Sequence, residues 1–249
     1  MPPEGFEPPT FWFEAKRSIQ LSYGDFLLSY ATITFVDNTT IITIVFEIIV
    51  LLFSAILHEI AHGYEAERLG DDTARRAGRL TLNPLVHLDL FTSVLMPILL
   101  IWATNGAFFF AAAKPVPYNP NNLKNPRSGA AKIALAGPLT NFFLAFIFSI
   151  AVRILVFFPV SDMLILMLSL VVYINIILGT FNLIPIPPLD GSRVLFAILP
   201  PSERSYKVMY FFERWGLVLV LIFVLFGFQL IAPVIQSIFT LFTGQALPF

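Results

Sequence analysis

Four apolar stretches, each near the roughly twenty residues a helix needs to cross a hydrocarbon layer, constrain this chain more than any other feature. Ile41 to about Leu57 runs on into HEIAHGYEAERLG, giving one long helix whose charged end leaves the membrane between Glu65 and Gly70. Lys132–Phe158, Met163–Ile184 and Leu217–Ala232 supply the other three, the last with Trp215 at its edge in an interfacial position. Composition agrees, because 57% of residues are hydrophobic and only 12% charged, against about a quarter charged in soluble domains. The expected fold class is therefore an all-α multi-pass membrane protein with the lipid bilayer as its solvent. Fifteen Lys+Arg against 16 Asp+Glu leave a net charge of −1, so no basic surface invites nucleic acid.

A further apolar stretch, Leu90–Thr104, is too short to span, and after Asn105-Gly106 it leads into the extended AFFFAAAKPVP that prolines close. Basic residues decide how it sits. Arg68, Arg75, Arg76 and Arg79 follow the first helix, Lys114, Lys124, Arg127 and Lys132 precede the second, and Arg193, Arg204, Lys207 and Arg214 separate the third from the fourth. The link FFPVSD between the second and third has none. The positive-inside rule puts the three basic loops in the cytoplasm and that link outside a cell membrane. Two successive basic loops on one side require residues 90–113 to be re-entrant, dipping in and returning, with the extended run as a short strand. The chain then divides into an N-terminal segment 1–40, disordered or interfacial, a membrane unit 41–233 and a hydrophobic tail 234–249. Met1 to about Asp25 holds four prolines and no signal-peptide run, and it resembles a stretch translated from too far upstream; Phe26–Val36 reads as a strand or interfacial piece. No internal repeat or inserted soluble domain is visible.

Chemistry concentrates in His58-Glu59-Ile60-Ala61-His62. Residues four apart on a helix share a face, so His58 and His62 can hold one Zn²⁺ while Glu59 is placed to act as general base. With 3 His and 9 Glu in 249 residues, this pattern arises by chance in roughly one such sequence per thousand. The bland reading is a polar helix end, and it sits badly beside an apolar helix where ionisable groups are costly. With no cysteine in the chain, thiolate metal sites, disulfides and thiol nucleophiles are excluded.

A catalytic zinc takes three protein ligands and keeps one position open. A third histidine six residues after His62 would be position 68, which is Arg68. The remaining candidates are His87, Asp71, Asp72, Asp89, Asp162, Asp190, Glu203 and Glu213. Asp190 stands out, because it follows a helix broken by Pro185, Pro187 and Pro188 and precedes Gly191, which permits a tight turn. Its alternative is an N-cap for SRVLFAIL.

HEIAH at 58–62, GPLTN at 137–141 and NLIPIPPLDG at 182–191 resemble, together and in this order, the intramembrane zinc metallopeptidases of the site-2 protease family. The similarity runs from about Ile41 to Arg214, and RLGDDTARRAGRLTLNPLVHLDLF resembles its compact prokaryotic branch without PDZ or CBS domains. The resemblance implies His58, His62 and Asp190 as zinc ligands, Glu59 as general base, Asn141 near the site, and transmembrane proteins as substrates of regulated intramembrane proteolysis. Independently, HEIAH ends the first helix, GPLTN opens the second and PPLDG ends the third, all toward the cytoplasm.

Asn141 has two readings, a donor to the substrate carbonyl or its oxyanion and a tie between helices; Asn182 shares the first. His87 reads as a capping or interfacial histidine ahead of a gating group. Glu47 and Arg153, charged within spans, read as snorkelling or mutually paired. Two rival classes stay open: a membrane zinc protease of the prenylated-protein type, with Glu203 or Glu213 as third ligand, and an inactive metal-binding membrane protein that has no need of Glu59. Oligomeric state is not legible.

Overall fold

The computed structural model describes residues 38–88 and 114–247, with isolated positions 95, 99 and 102 between them. The chain divides into two compact units, one of residues 1–41 with 90–112 and one of residues 42–89 with 113–249. The first lies almost wholly outside the described residues, as do the expected N-terminal segment up to residue 37, the re-entrant stretch 90–113 and most of the extended run after it. Of that run, 114–117 form no regular element, and no strand occurs among the described residues.

Helix α1 spans Asn38–Arg68. Its 31 residues reach about 46 Å, more than a hydrocarbon layer. Ser54, His58 and His62 follow at four-residue spacing on one face. Past Arg68 the chain turns at Gly70, whose φ of +107° suits glycine, and forms a short helix α2, Thr73–Arg76. Asp71, fully buried, knots this region. It accepts from Thr73 N at 3.2 Å and Oγ1 at 2.5 Å, from Asn119 N at 2.7 Å and from Asn122 Nδ2 at 2.7 Å. Burial alone would push the Asp71 carboxyl up, but these four donors hold it below its ordinary value of 3.8.

Helix α3, Pro126–Leu155, begins with Asn125 capping Ser128 N and Pro126 in the first turn. Gly129, Ile133, Gly137, Asn141, Ala145 and Ser149 recur every four residues and are buried. This mostly small stripe lets neighbouring helices approach closely. Helix α4, Asp162–Asn182, is capped by Ser161 and packs along α3, with Gly179 against the Phe142 ring. The prolines at 185, 187 and 188 end it, and helix α5, Asp190–Ile198, starts directly after them. Gly191 is required there, since a Cβ would strike the Leu183 carbonyl.

Helix α6, Glu203–Ile222, passes through a π turn at Phe223–Gly227 into helix α7, Phe228–Thr243. The expected span Leu217–Ala232 is thus the middle of a continuous 41-residue helix. Ser202 caps its start, and a Glu203–Lys207 ion pair at 2.7 Å supports the first turns. Residues 234–243, expected as tail, continue α7, and Ile235 and Phe239 are buried against Ala145, Val152, Val172 and Ile176. Among the described residues four helices are long and apolar enough to cross a membrane: α1, α3, α4 and α6 with α7.

Candidate metal centre

His58 and His62 stand one turn apart on α1, their rings edge to face with centroids 4.6 Å apart. Asp190, first residue of α5, sends Oδ2 to 3.0 Å from His58 Nε2 and 3.2 Å from His62 Nε2. One ligand atom from each of the three lies within 4.8 Å of the others, and no other such trio forms among the described residues. Asp190 therefore spends its carboxylate on the histidines; its alternative as cap of α5 has no hydrogen bond behind it, and Leu189 occupies the N-cap position.

The back of each ring determines what the front offers. His62 Nδ1 lies 2.6 Å from Ile133 O, a carbonyl that only accepts, so a proton is on Nδ1 and Nε2 is the nitrogen turned to the site. His58 Nδ1 lies 2.6 Å from Asn141 Oδ1. Asn141 donates Nδ2 to Asn175 Oδ1 at 3.0 Å, which leaves its oxygen for His58 Nδ1 and makes Nε2, 3.0 Å from Asp190 Oδ2, the nitrogen that faces the site. Burial would push the Asp190 carboxyl up, yet the hydrogen bonds and charges of His58 and His62 hold it below the usual carboxylate range, so it is ionised. Two imidazole nitrogens and one carboxylate oxygen converge on a single point, and a cation there takes the place of the protons the histidines otherwise share with Asp190. A cation satisfies all three, and two imidazoles with one carboxylate is a catalytic zinc set with a position to spare. The residues present therefore fit Zn²⁺.

Glu59, next to His58 on α1, accepts Val116 N–H on its Oε2 at 2.9 Å. Residues 114–118, which carry this amide, are themselves fixed. Lys114 N donates to His87 O at 2.8 Å, and the buried Arg79 donates to Lys114 O and Pro115 O at 3.3 and 3.2 Å. Arg193, one turn past Asp190, lies over the Tyr118 ring 5.3 Å from its centroid.

The other candidates lie elsewhere. Asp71 is saturated by its four donors, Asp72 pairs with Arg76 at 2.5 Å and Glu203 with Lys207, and neither Glu203 nor Glu213 joins the histidines. Asp89 lies outside the described residues. Asn141, read from sequence as an oxyanion donor or a helix tie, is fully buried with its Oδ1 at His58 Nδ1 and its Nδ2 donating to Asn175 Oδ1, an arrangement that suits the tie. Asn182 donates to Leu178 O on its own helix. His87 caps the turn Pro84–Val86 and donates Nε2 to Thr81 O at 2.8 Å. The pairing of Glu47 with Arg153 is corrected, since Arg153 donates to Leu241 O and Phe242 O, both at 2.6 Å, at the carbonyl end of α7.

Sequence reasoning missed Gly137, Ser54 and Asn175. A Cβ on Gly137 would stand 2.5 Å from His58 Nε2 and 2.6 Å from His62 Cε1, so α3 passes the metal centre where only glycine fits. The signal for Asn175 was present, a lone amide deep in an apolar helix.

Residues 158–225 match peptidase family M50. A Bacillus subtilis protein named "Putative zinc metalloprotease YwhC" is 35% identical over 70% of this chain and 78% of its own length. "Putative zinc metalloprotease MJ0611" of Methanocaldococcus jannaschii is 31% identical over 74% of this chain and 86% of its own. "Zinc metalloprotease MJ0392" of the same organism is 26% identical over 91% of this chain, which spans 56% of that relative. No solved structure matches.

Proposed function

Because this chain belongs to peptidase family M50, the site-2 proteases, we propose that it is an intramembrane endopeptidase that cuts transmembrane segments near the cytoplasmic face of a cell membrane. Membership makes it a zinc metallopeptidase, and its four apolar helices make it a multi-pass membrane protein. The peptidase unit, expected over residues 41–233, extends to Thr243, because α7 continues that far and packs Ile235 and Phe239 into the core. The observation that carries the proposal is the convergence of His58 Nε2, His62 Nε2 and Asp190 Oδ2 on one point, with Glu59 beside them on α1.

His58, His62 and Asp190 would hold Zn²⁺. The ion when bound supplies Lewis acidity, lowering the pKa of water toward about 7 and polarising a carbonyl. Glu59 takes the proton of the attacking water and returns it to the leaving amine. Val116 N–H restrains Glu59 Oε2 and leaves Oε1 to hold that proton. Asn141 keeps the His58 ring facing the metal. A transmembrane segment must unwind locally to offer a peptide bond, and the sequence AFFFAAAKPVP at 107–117 is suited to align it by strand addition.

Reconstituted chain with a model transmembrane substrate tests the reading. Cleavage that stops when a chelator removes zinc, and returns on adding zinc back, is expected. Cleavage that persists without metal overturns it.

A further inference from the structure

Behind His58, three buried polar side chains form a chain of hydrogen bonds with a direction. Asn175, in the middle of the apolar α4 and 1% exposed, donates Nδ2 to Val171 O at 2.9 Å and to Ser54 Oγ at 3.0 Å. Its Oδ1 accepts Asn141 Nδ2 at 3.0 Å, and Asn141 Oδ1 meets His58 Nδ1 at 2.6 Å. An amide can present either end and a neutral imidazole can carry its proton on either nitrogen, so neither Asn141 nor His58 sets the direction by itself. The carbonyl of Val171 can only accept. Asn175 must turn its nitrogen to that carbonyl and its oxygen to Asn141. Asn141 must then turn its oxygen to His58, which keeps a proton on His58 Nδ1 and leaves Nε2, 3.0 Å from Asp190 Oδ2, as the nitrogen that faces the metal. Asn141 Nδ2 also approaches Ser54 O at 3.4 Å, which favours the same direction but lies at the limit of a hydrogen bond.

We propose that Asn175 is a positioning residue: anchored on the Val171 carbonyl, it fixes the amide of Asn141 and through it the His58 tautomer that can bind metal. The proposal rests on the reading of His58 as a zinc ligand. Without Asn175, Asn141 is free to turn and donate Nδ2 to His58 Nδ1. The imidazole proton then moves to Nε2, where it competes with the cation. A mere tie between α1, α3 and α4 differs in a measurable way, because its loss weakens packing without moving that proton.

Two readouts on the full chain in detergent test this. One is the His58 tautomer in metal-free protein, from the ¹⁵N signals of the imidazoles; the other is zinc affinity from chelator competition. Asn175→Leu is expected to move the His58 proton to Nε2 and weaken zinc about tenfold or more, as loss of an outer partner of a ligating histidine does. Asn175→Asp is expected to keep both properties, since a carboxyl group, ionised or protonated, still offers an oxygen to Asn141. Placed on Asn141→Asp, whose carboxylate only accepts from His58, Asn175→Leu is expected to cost nothing further. Should Asn175→Leu not fold, Asn175→Ala is measured in its place. The proposal is overturned if the proton stays on Nδ1 in these apolar variants, or if the zinc loss is the same in both Asn141 backgrounds. Failure of the parent chain to bind zinc would instead overturn the zinc-site reading, and the tautomer would still decide the role of Asn175.

Discussion

Replacing Gly137 by alanine sets two effects of opposite sign against each other. In a helix interior alanine is worth about 1 kcal/mol more than glycine, so propensity alone predicts a more stable α3. The new Cβ, however, would stand 2.5 Å from His58 Nε2 and 2.6 Å from the Cε1 atoms of His58 and His62, where carbon contacts settle at about 3.5–4.0 Å. Each ring must therefore retreat by about 1 Å. Neither is free to, because His58 Nδ1 and His62 Nδ1 are each held by a 2.6 Å hydrogen bond to α3 itself. Overpacking of this kind costs about 1–3 kcal/mol, and each buried partner left unmet costs a similar amount. The clash wins. Gly137→Ala is expected to lower stability by about 1–3 kcal/mol and zinc affinity by about tenfold or more, or 1.4 kcal/mol per factor of ten. Melting with and without zinc, together with chelator competition, measures both. A variant that melts at or above the parent and binds zinc equally well would refute the placement of α3 against the histidines.

Three further outcomes follow from the geometry. Asp190→Asn removes the ionised donor but gives an amide N–H that His58 or His62 Nε2 can accept, so zinc affinity is expected to fall about tenfold or more while the metal-free chain melts no lower; unchanged zinc content would remove Asp190 from the ligand set. Asp71→Asn places amide hydrogens against four donors and is expected to cost about 1–3 kcal/mol near neutral pH. Because folding holds the Asp71 carboxyl below 3.8, this stability is present above that pH and is lost as pH falls beneath it, so parent and variant melting should converge in acid; a constant gap refutes the account. Finally, single cysteines at Thr73 and Asn122 in this cysteine-free chain are expected to label only from the cytoplasm and one at Ser161 only from outside. Labelling of Thr73 and Asn122 from opposite faces would contradict a shared cytoplasmic-side site.

What could be read in the sequence was what depends on local periodicity. HEIAH declared a shared helix face at four-residue spacing, and the prolines before Asp190 marked where α4 must stop. Asn175 and Ser54 escaped because their meaning lies in how the faces of α1, α3 and α4 meet, which no local pattern records. Gly137 reads in sequence only as part of GPLTN, whereas its place is steric, against two imidazoles. The fourth span was drawn too short because hydropathy falls over the charged turns 203–214, although a Ser202 cap and an i,i+4 ion pair keep them helical. Arg153 was paired with the wrong partner for a similar reason: the carbonyls at the end of α7 that receive it lie 88 and 89 residues away in sequence.

The central claim is that Glu59 moves protons while His58, His62 and Asp190 hold the metal, and Glu59→Gln separates the two roles in one preparation. Glutamine keeps the size of the side chain and can still accept Val116 N–H, but it cannot act as a base at neutral pH. Zinc content and cleavage of a model transmembrane substrate are measured on the same purified protein. The account predicts zinc at the parent's stoichiometry with no detectable turnover. Retained turnover, or zinc lost together with activity, would contradict it.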